Sequence, residues 1–354
     1  MLERHHDKLL SKVCVTAQHR EMLDQVLNLF RIKPDYDLDI MQPDQSLVAV
    51  TIAVMRAIDP ILTEENPDWV LVQGDTSTVL AASLAAFYRN IKVGHVEAGL
   101  RTYDIHRPFP EEVNRRVAGV VATLHFAPTE WAASNLRQER VPPSQILVTG
   151  NTVIDAIRQV AAMPFDPRDT LLADLPVGKK KIILVTAHRR ESFGHGLKEI
   201  CTALREIATT LKEVHLVYPV HLNPKVKEPV QQLLGGIPNI TLLPPLDYLP
   251  LVYLMKNSHL VLTDSGGIQE EAPGLGVPVL VLREVTERPE GVKAGTVRVV
   301  GTDREQIVFE TLRLMQDSRA YKEMAQAVNP YGDGHAAERI VGALLGNSID
   351  PWQG

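Results

Sequence analysis

The stretch "HLVLTDSGGIQEEAPGLGVPVLVLREVTERPEG", His259 to Gly291, decides the fold class. Two short apolar runs, His259–Leu262 and Val277–Leu282, enclose a segment, Ile268–Leu275, that is long enough for about two helical turns. A strand, a turn, a helix and a second buried strand in this order are typical of a parallel sheet that is covered on both faces. We therefore expect an α/β fold, in which ligands bind at the carboxyl ends of the strands.

The turn in this stretch, Ser265-Gly266-Gly267, lies where the predicted strand ends and the helix begins. Backbone N–H groups at a helix start are unpaired and carry partial positive charge, so the turn predicts an anion site. Glycines would let a phosphate approach the backbone closely. The alternative is an ordinary helix cap by Asp264 or Ser265, with glycines that serve only the turn geometry. Glu271, one turn into the helix, would repel a phosphate and suits sugar hydroxyls better.

The whole chain has 354 residues, enough for about two domains with their own cores. A net charge of -6 argues against a nucleic-acid-binding protein. The two cysteines, Cys14 and Cys201, have no partner motif, which favours a reducing cytoplasm over a disulfide framework. No apolar stretch approaches the length of a membrane span, and the charged N-terminus does not resemble a signal peptide.

Strand-like and helix-like runs alternate along the chain in two arrays, which predicts two Rossmann-like, doubly wound domains with a ligand cleft between them. We expect an N-terminal domain over 1–163, a linker over 164–180, a C-terminal domain over 181–330 and a helical segment over 331–354. The predicted strands are Val13–Thr16, Trp69–Gln73, Lys92–Val96, His125–Phe126, Ile146–Thr149, Ile182–Thr186, Val214–Pro219, Ile240–Leu243, His259–Leu262, Val277–Leu282 and Val297–Val300.

Polar side chains follow several of these strands. Asp75 comes directly after one strand, where it either binds a ligand or caps the next helix. Glu97 follows another strand, and a glutamate is a poor cap. Glu111, in "RPFPEEVNRR", lies in a predicted first helical turn, where an acidic residue also suits the helix dipole. The cluster His188-Arg189-Arg190 follows a strand of the second array and suits phosphates better than a core.

Several motifs are missing from the sequence. No G-x-G-x-x-G follows a strand, "VGKKK" lacks the features of a P-loop, and neither H-E-x-x-H nor G-x-S-x-G occurs. We therefore expect no bound cofactor and no metal. Carboxylates in the first array and a phosphate-type turn with cations in the second suggest a ligand with a diphosphate at one end and hydroxyls at the other. A nucleotide sugar fits that description.

Ten blocks of the chain, in order from about Lys12 to "NPYGDG", resemble the bacterial non-hydrolysing UDP-N-acetylglucosamine 2-epimerases. The resemblance implies the two-domain glycosyltransferase-B architecture. The blocks are "VCVTAQHREMLDQV", "DYDLDIMQP", "GDTSTVLAASLAAFY", "GHVEAGLRT", "PEEVNRR", "TGNTVIDA", "HRRESFG", "YPVHLNP", "TDSGGIQEEAP" and "ERPEGV" followed by "AGT".

The resemblance also implies roles for individual residues. The catalytic positions of the family fall on Asp75, Glu97, Glu111 and His188. The substrate-binding positions fall on Arg190, Leu246, Leu251, Ser265, Gly266, Gly267, Glu271 and Arg288. Leu246 and Leu251 align with a uracil pocket where some relatives have Gln and Phe, so base stacking is expected to be weaker here. Some family members bind a second UDP-N-acetylglucosamine as a regulator, and Gln18, Arg189 and His221 fall at positions for it.

The reaction that the resemblance implies is reversible epimerisation of UDP-N-acetylglucosamine at C2, by elimination and re-addition of UDP. The alternatives are a hydrolysing epimerase, a glycosyltransferase that uses a UDP-sugar, and a truncated protein that binds a UDP-sugar without catalysis. The resemblance further implies a cytoplasmic homodimer that binds neither nucleic acid nor a membrane.

The N-terminus departs from the family pattern. A first strand and a Gly-Thr-Arg-Pro-Glu turn are expected ahead of Val13, and neither occurs in this sequence. The first strand of a doubly wound sheet is central, so its loss would remove two ladders of hydrogen bonds. We therefore expect that the sequence is an incomplete reading of a longer protein. On this expectation it is weakly active or inactive until roughly 20 upstream residues restore the strand and turn.

Overall fold

Parallel strands followed by helices form both halves of the protein. The computed structural model describes residues 1–17, 20–42 and 45–354. The chain divides into unit 1, Met1–Thr152 together with Gly332–Gly354, and unit 2, Val153–Tyr331. The predicted class, α/β with two Rossmann-like units, is confirmed by the parallel pairing of strands in each.

In the described part of unit 1, six strands form two separate parallel sheets. Two short strands pair with each other, and the other four form a sheet in chain order. The strands are β1 (Cys14–Val15), β2 (Tyr36–Asp37), β3 (Trp69–Gln73), β4 (Lys92–Val96), β5 (Leu124–Ala127) and β6 (Ile146–Val148). β3 and β4 have the predicted bounds, whereas β2 was not predicted.

The helices that follow these strands are α1 (Arg20–Phe30), α2 (Leu47–Glu65), α3 (Ser77–Tyr88), α4 (Glu111–Val121) and α5 (Glu130–Gln138). Of these, α2, α3 and α5 begin at a Ser or Thr side chain that accepts a hydrogen bond from a backbone N–H three residues on. α2 buries Val50, Val54, Ile58 and Leu62, because a four-residue spacing places them on one face.

Unit 2 is built on one six-stranded parallel sheet. Its strands are β7 (Lys181–Thr186), β8 (Val214–Pro219), β9 (Ile240–Leu243), β10 (Ser258–Thr263), β11 (Val279–Val281) and β12 (Val297–Val299). They lie in the order β12-β11-β10-β7-β8-β9. All six are largely apolar runs, as expected for strands covered on both faces.

The helices of the second half are α6 (Thr152–Ala161), α7 (His195–Thr210), α8 (Pro224–Leu234), α9 (Tyr248–Lys256), α10 (Gly266–Gly274), α11 (Pro289–Ala294), α12 (Arg304–Gln316) and α13 (Ser318–Ala325). α7 illustrates how these helices pack against the sheet. Its residues Leu197, Ile200, Leu204 and Ile207 recur at three- and four-residue intervals and are buried in the same cluster as Ile183 of β7.

The C-terminal segment returns to unit 1. It forms α14 (Ala336–Leu344) and then a tail whose Trp352 N–H donates to the carbonyl of Val148 in β6 at 2.8 Å. Arg339 donates to the carbonyl of Thr149 at 3.0 Å and pairs with Asp333 at 2.6 Å. Two parts of the chain that are far apart in sequence therefore complete one folding unit.

Among the described helices, none combines the length and the apolar character that a membrane crossing requires. Within the same residues, no three His, Cys, Asp or Glu side chains converge in a way that would hold a metal ion.

Candidate active site

The centre of the unit 2 sheet lies between β7 and β10. Thr186 of β7 pairs with Thr263 of β10, and the chain leaves these two strands towards opposite edges of the sheet. Where neighbouring parallel strands connect towards opposite edges of a sheet, a crevice forms at their carboxyl ends. Doubly wound folds bind their ligands in that crevice. The predicted His188 follows β7 and the predicted Ser265 follows β10, so both lie at this crevice.

The glycines of the Ser265–Gly267 turn are not needed for its geometry. Neither Gly266 nor Gly267 has a positive φ, so the backbone there is open to any residue. A Cβ on Gly267 would meet nothing within 4 Å, and one on Gly266 would meet only the Arg189 Nη2 at 3.9 Å. Ser265 precedes α10, but its side chain makes no capping hydrogen bond. The arrangement therefore fits an open anion site better than a plain helix cap.

The loop after β7 brings basic side chains to this helix start, among them Arg189. His188 is 41% exposed, and its ring stacks on that of His221 at 5.5 Å between centroids. Burial lowers the pKa of the His188 imidazole, and the Asp264 carboxylate partly reverses that shift. Arg190 is exposed and begins a short 3-10 turn, Arg190–Ser192. The loop after β7 thus presents positive charge beside α10.

Glu271 lies in α10 and is held by Tyr248, the first residue of α9. Its Oε1 accepts a hydrogen bond from the Tyr248 hydroxyl at 3.0 Å. Burial raises the pKa of the Glu271 carboxyl above its usual range, and the Tyr248 hydrogen bond opposes part of the shift. Leu246 and Leu251, the residues predicted for uracil, are half-buried and flank Tyr248 in sequence, so they lie in the segment that contacts Glu271, the residue predicted for ribose.

Arg288 precedes α11 and is already held by the protein. Its Nε donates to the buried carboxylate of Glu270, and its carbonyl accepts a hydrogen bond from the Tyr331 hydroxyl at 3.3 Å. The adjacent glutamates of "IQEEAP" therefore have different partners, Arg288 for Glu270 and Tyr248 for Glu271.

In unit 1 the predicted carboxylates lie at neighbouring strand ends. Gln73 of β3 pairs with Val96 of β4, so Gly74 and Glu97 lie side by side. The Glu97 Oε2 is 3.4 Å from where a Cβ of Gly74 would be. Glu97 itself has a φ of 64°, a left-handed conformation that is costly for a residue with a side chain. Such backbone strain is concentrated at functional sites, which favours a ligand role for Glu97.

α4 connects the remaining carboxylates. Glu111 is its first residue, and Arg115, one turn later, places Nη2 at 3.1 Å from the Asp75 Oδ2. Asn114 donates to the carbonyl of Asp75 at 2.9 Å. The interpretation of Asp75 as a helix cap is wrong, because Thr76 caps α3 instead. Glu112 is fully buried and accepts the N–H groups of the 102–103 loop, so only Glu111 is left for a ligand role.

Four residues that contact the predicted ones were not predicted from the sequence: His95, Asn114 and Arg115 in unit 1, and Tyr248 in unit 2. His95 contacts the carbonyl of Gly74 through Nε2 at 2.8 Å, and burial lowers its pKa to about 4, which keeps the ring neutral at pH 7. The sequence could have indicated Arg115, because it follows Glu111 by four residues and so lies on the same face of the helix. For His95 the sequence offers no such signal.

Of the three residues predicted to bind a second ligand, two can be located in the structure. Gln18 lies outside the described residues. Arg189 and His221 both lie next to His188, at the carboxyl ends of β7 and β8.

The chain is similar to known proteins over nearly its full length. A family model described as UDP-N-acetylglucosamine 2-epimerase matches residues 2–345. The UDP-N-acetylglucosamine 2-epimerase of Escherichia coli (strain K12) is 58% identical over 344 residues, covering 96% of this chain and 92% of that protein. The protein of the same name from Salmonella typhimurium (strain LT2) is 57% identical over 340 residues, covering 94% and 90%.

A solved structure is similar as well. The crystal structure of UDP-GlcNAc 2-epimerase from Neisseria meningitidis bound to UDP-GlcNAc superposes with a TM-score of 0.87 at 50% identity, covering 97% of this chain and 94% of that one. The glycosyltransferase-B type of architecture expected from the sequence agrees with this likeness.

Proposed function

The chain belongs to the UDP-N-acetylglucosamine 2-epimerase family, and on that premise we propose that it interconverts UDP-N-acetylglucosamine and UDP-N-acetylmannosamine. The observation that carries the proposal is the open start of α10, where two glycines with ordinary backbone angles leave N–H groups uncovered beside a cationic loop. That arrangement suits the diphosphate of a nucleotide sugar.

In this proposal unit 2 holds UDP. The N–H groups at the start of α10 bind the diphosphate, and His188 and Arg190 compensate the charge that develops on it as it leaves. Glu271, oriented by Tyr248, accepts hydrogen bonds from the ribose hydroxyls. Leu246 and Leu251 supply apolar surface for uracil, and Arg288 contributes a further cation.

Unit 1 supplies the acid and base groups. The proton on C2 of the sugar is not acidic, so the bond from C1 to the diphosphate oxygen breaks first, and its electron pair leaves with UDP. A carboxylate then removes the C2 proton, which gives a glycal with a double bond between C1 and C2. Return of a proton to the other face of C2 and re-addition of the UDP oxygen at C1 give the epimer. Asp75, Glu97 and Glu111 share these roles, and no cofactor or metal takes part.

The test is incubation of the protein with UDP-N-acetylglucosamine in D₂O, followed by NMR and mass analysis of the sugars. We expect both UDP-sugars at equilibrium, each with deuterium at C2. Release of free N-acetylmannosamine and UDP would indicate a hydrolysing enzyme, and sugar transfer that requires an added acceptor would indicate a glycosyltransferase. Binding of the UDP-sugar without deuterium exchange at C2 would indicate a protein that binds the UDP-sugar but does not catalyse a reaction.

We propose in addition that the chain forms a homodimer through unit 1. α2, α3 and α4 pack in sequence, and each exposes large apolar side chains, such as Ile52, Phe87 and Val120, at 46%, 52% and 84%. Burying that surface against a second copy is favourable.

Sedimentation velocity of Phe87→Lys should show a shift to monomer relative to the unchanged protein. Phe309→Lys, at a phenylalanine of unit 2 that is 61% exposed, is the control and should leave the sedimentation coefficient unchanged. A monomeric unchanged protein would contradict the proposal.

A cytoplasmic location stays a prediction, supported by the two free cysteines, Cys14 and Cys201.

A further inference from the structure

Asp264 is a fully buried carboxylate at the end of β10, directly before the α10 turn. Its Oδ2 accepts two hydrogen bonds from the loop after β7, one from the N–H of His188 at 2.7 Å and one from the N–H of Arg189 at 2.8 Å. Its own N–H donates to the carbonyl of Thr186 at 3.0 Å. Asp264 therefore ties the end of β10 to the loop that carries His188.

The second oxygen of this carboxylate is the unusual feature. Oδ1 is buried and makes no hydrogen bond in the described part of the chain. A buried polar atom without a partner costs free energy, so its position calls for an explanation. The imidazole of His188 lies next to it, with Nδ1 at 3.6 Å from Oδ1, which is the distance of an ion pair rather than of a hydrogen bond.

We propose that Asp264 is a positioning residue for His188, holding the loop by its main chain and the imidazole by Nδ1. The inference rests on the proposed function, in which His188 compensates the charge on departing UDP. With Nδ1–H directed at Asp264, the opposite ring nitrogen, Nε2, is left for the ligand, and it donates to a diphosphate oxygen when the ring takes up a second proton. Small movements of the ring on ligand binding would shorten the Nδ1 contact to a hydrogen bond.

The charges around the ring agree with this orientation. The titratable and charged groups that face His188 are Asp264 from β10, His221 after β8 and Arg189 in its own loop. His221 stacks on the face of the ring, with 12° between the planes, so it does not compete for either nitrogen. Its own Nδ1 already accepts the N–H of Asn223 at 3.1 Å. Asp264 is thus the group that favours the imidazolium form, against burial, His221 and Arg189.

The chemical consequence concerns the step in which UDP leaves. The electron pair of the C1–O bond moves to the diphosphate, and the His188 ring, whose protonated form is favoured by an anionic diphosphate beside it, compensates that charge. Removal of Asp264 would leave His188 present but less often charged and free to rotate. The positioning role therefore predicts a change in the ionisation of His188 and not only a loss of stability.

The first arm of the test needs no substitution. We expect ¹⁵N NMR of the full chain, with His188 assigned by comparison with His188→Gln, to show the Nδ1–H tautomer for the neutral ring in the absence of substrate. A predominant Nε2–H tautomer would overturn the proposal. This result is independent of turnover, so it separates failure of the inference from failure of the proposed function.

The second arm compares Asp264→Asn with Thr186→Val. In Asp264→Asn the NMR pKa of His188 should fall by about 0.5 to 1 unit, because a half-exposed ring loses its counter-charge. Its kcat should fall by about 10- to 100-fold. Thr186→Val removes a neighbouring buried hydrogen bond, the one between the hydroxyls of Thr186 and Thr263 at 2.6 Å, and leaves the carboxylate in place. We expect no change in the His188 pKa there. An unchanged pKa in Asp264→Asn, or an equal change in both variants, would show that the role is only structural.

Discussion

Valine in place of Gly266 or Gly267 is expected to abolish measurable UDP binding while the protein still folds. A branched side chain at either position would occupy the space from which a diphosphate reaches the N–H groups of α10. Loss of two hydrogen bonds to a charged group costs about 3 to 6 kcal/mol, which corresponds to roughly 10²- to 10⁴-fold in Kd. Isothermal calorimetry with UDP measures this loss directly.

The fold should survive because the free protein leaves room there. A Cβ on Gly267 meets nothing within 4 Å, and the backbone of neither glycine has a positive φ. The control is Gly196→Ala, at the same second position of α7, where a Cβ would touch the Thr302 side chain at 3.4 Å, an ordinary contact. UDP affinity should be unchanged in the control. If a folded Gly267→Val variant kept its UDP affinity, the turn would be only the start of a helix and would not bind UDP.

The second large effect is expected at the carboxylates of unit 1. Asp75→Asn, Glu97→Gln and Glu111→Gln should each lower turnover by about 10²-fold or more, because each removes an acid or base group from the proposed reaction. Their UDP affinity should stay within about tenfold of the unchanged protein, since unit 2 holds UDP in the proposed function. Deuterium exchange at C2, measured under single-turnover conditions, reports the proton transfer itself.

Asp75→Asn is expected to lower stability as well, because Arg115 is buried and pairs with Asp75 at 3.1 Å. Thermal unfolding therefore has to accompany the turnover measurement for that variant. Glu130→Gln is the matched control for Glu111→Gln, since Glu130 is the first residue of α5 as Glu111 is of α4, but its side chain is 70% exposed. Turnover near that of the unchanged protein in Glu97→Gln would remove Glu97 from the mechanism.

The strands were predicted well where the sequence has an apolar run, including β3 and β9, which are only partly buried. The predicted bounds of Trp69–Gln73, Lys92–Val96, Val214–Pro219 and Ile240–Leu243 agree with β3, β4, β8 and β9. β2 was missed because Tyr36–Asp37 is a pair of residues in a polar stretch, which has no apolar run or alternation to mark it. Its pairing with β1 is a tertiary contact that local pattern does not encode.

The polar contacts of the site were harder to predict for the same reason. Asp264 and the His188 N–H are 76 residues apart in sequence, and Tyr248 and Glu271 are 23 apart. A motif identifies residue types that suit a ligand, but it does not tell which side chain will be buried and satisfied by which partner. The adjacent pair Glu111-Glu112 illustrates the limit, because only the structure separates the residue at the helix start from the one that holds the 102–103 loop.

The return of the chain to unit 1 has a consequence for biosynthesis. One part of unit 1, Met1–Thr152, leaves the ribosome before unit 2, yet unit 1 also needs Gly332–Gly354, including the α14 contacts and the Trp352 hydrogen bond to β6. Unit 2 is continuous in sequence and can finish folding while synthesis proceeds. Unit 1 must therefore remain unfinished for about ten seconds or longer, with the edge of β6 uncovered until Gly332–Gly354 has been made. The earlier part of unit 1 thus waits for a segment that follows all of unit 2, and chaperone protection during that interval falls on unit 1.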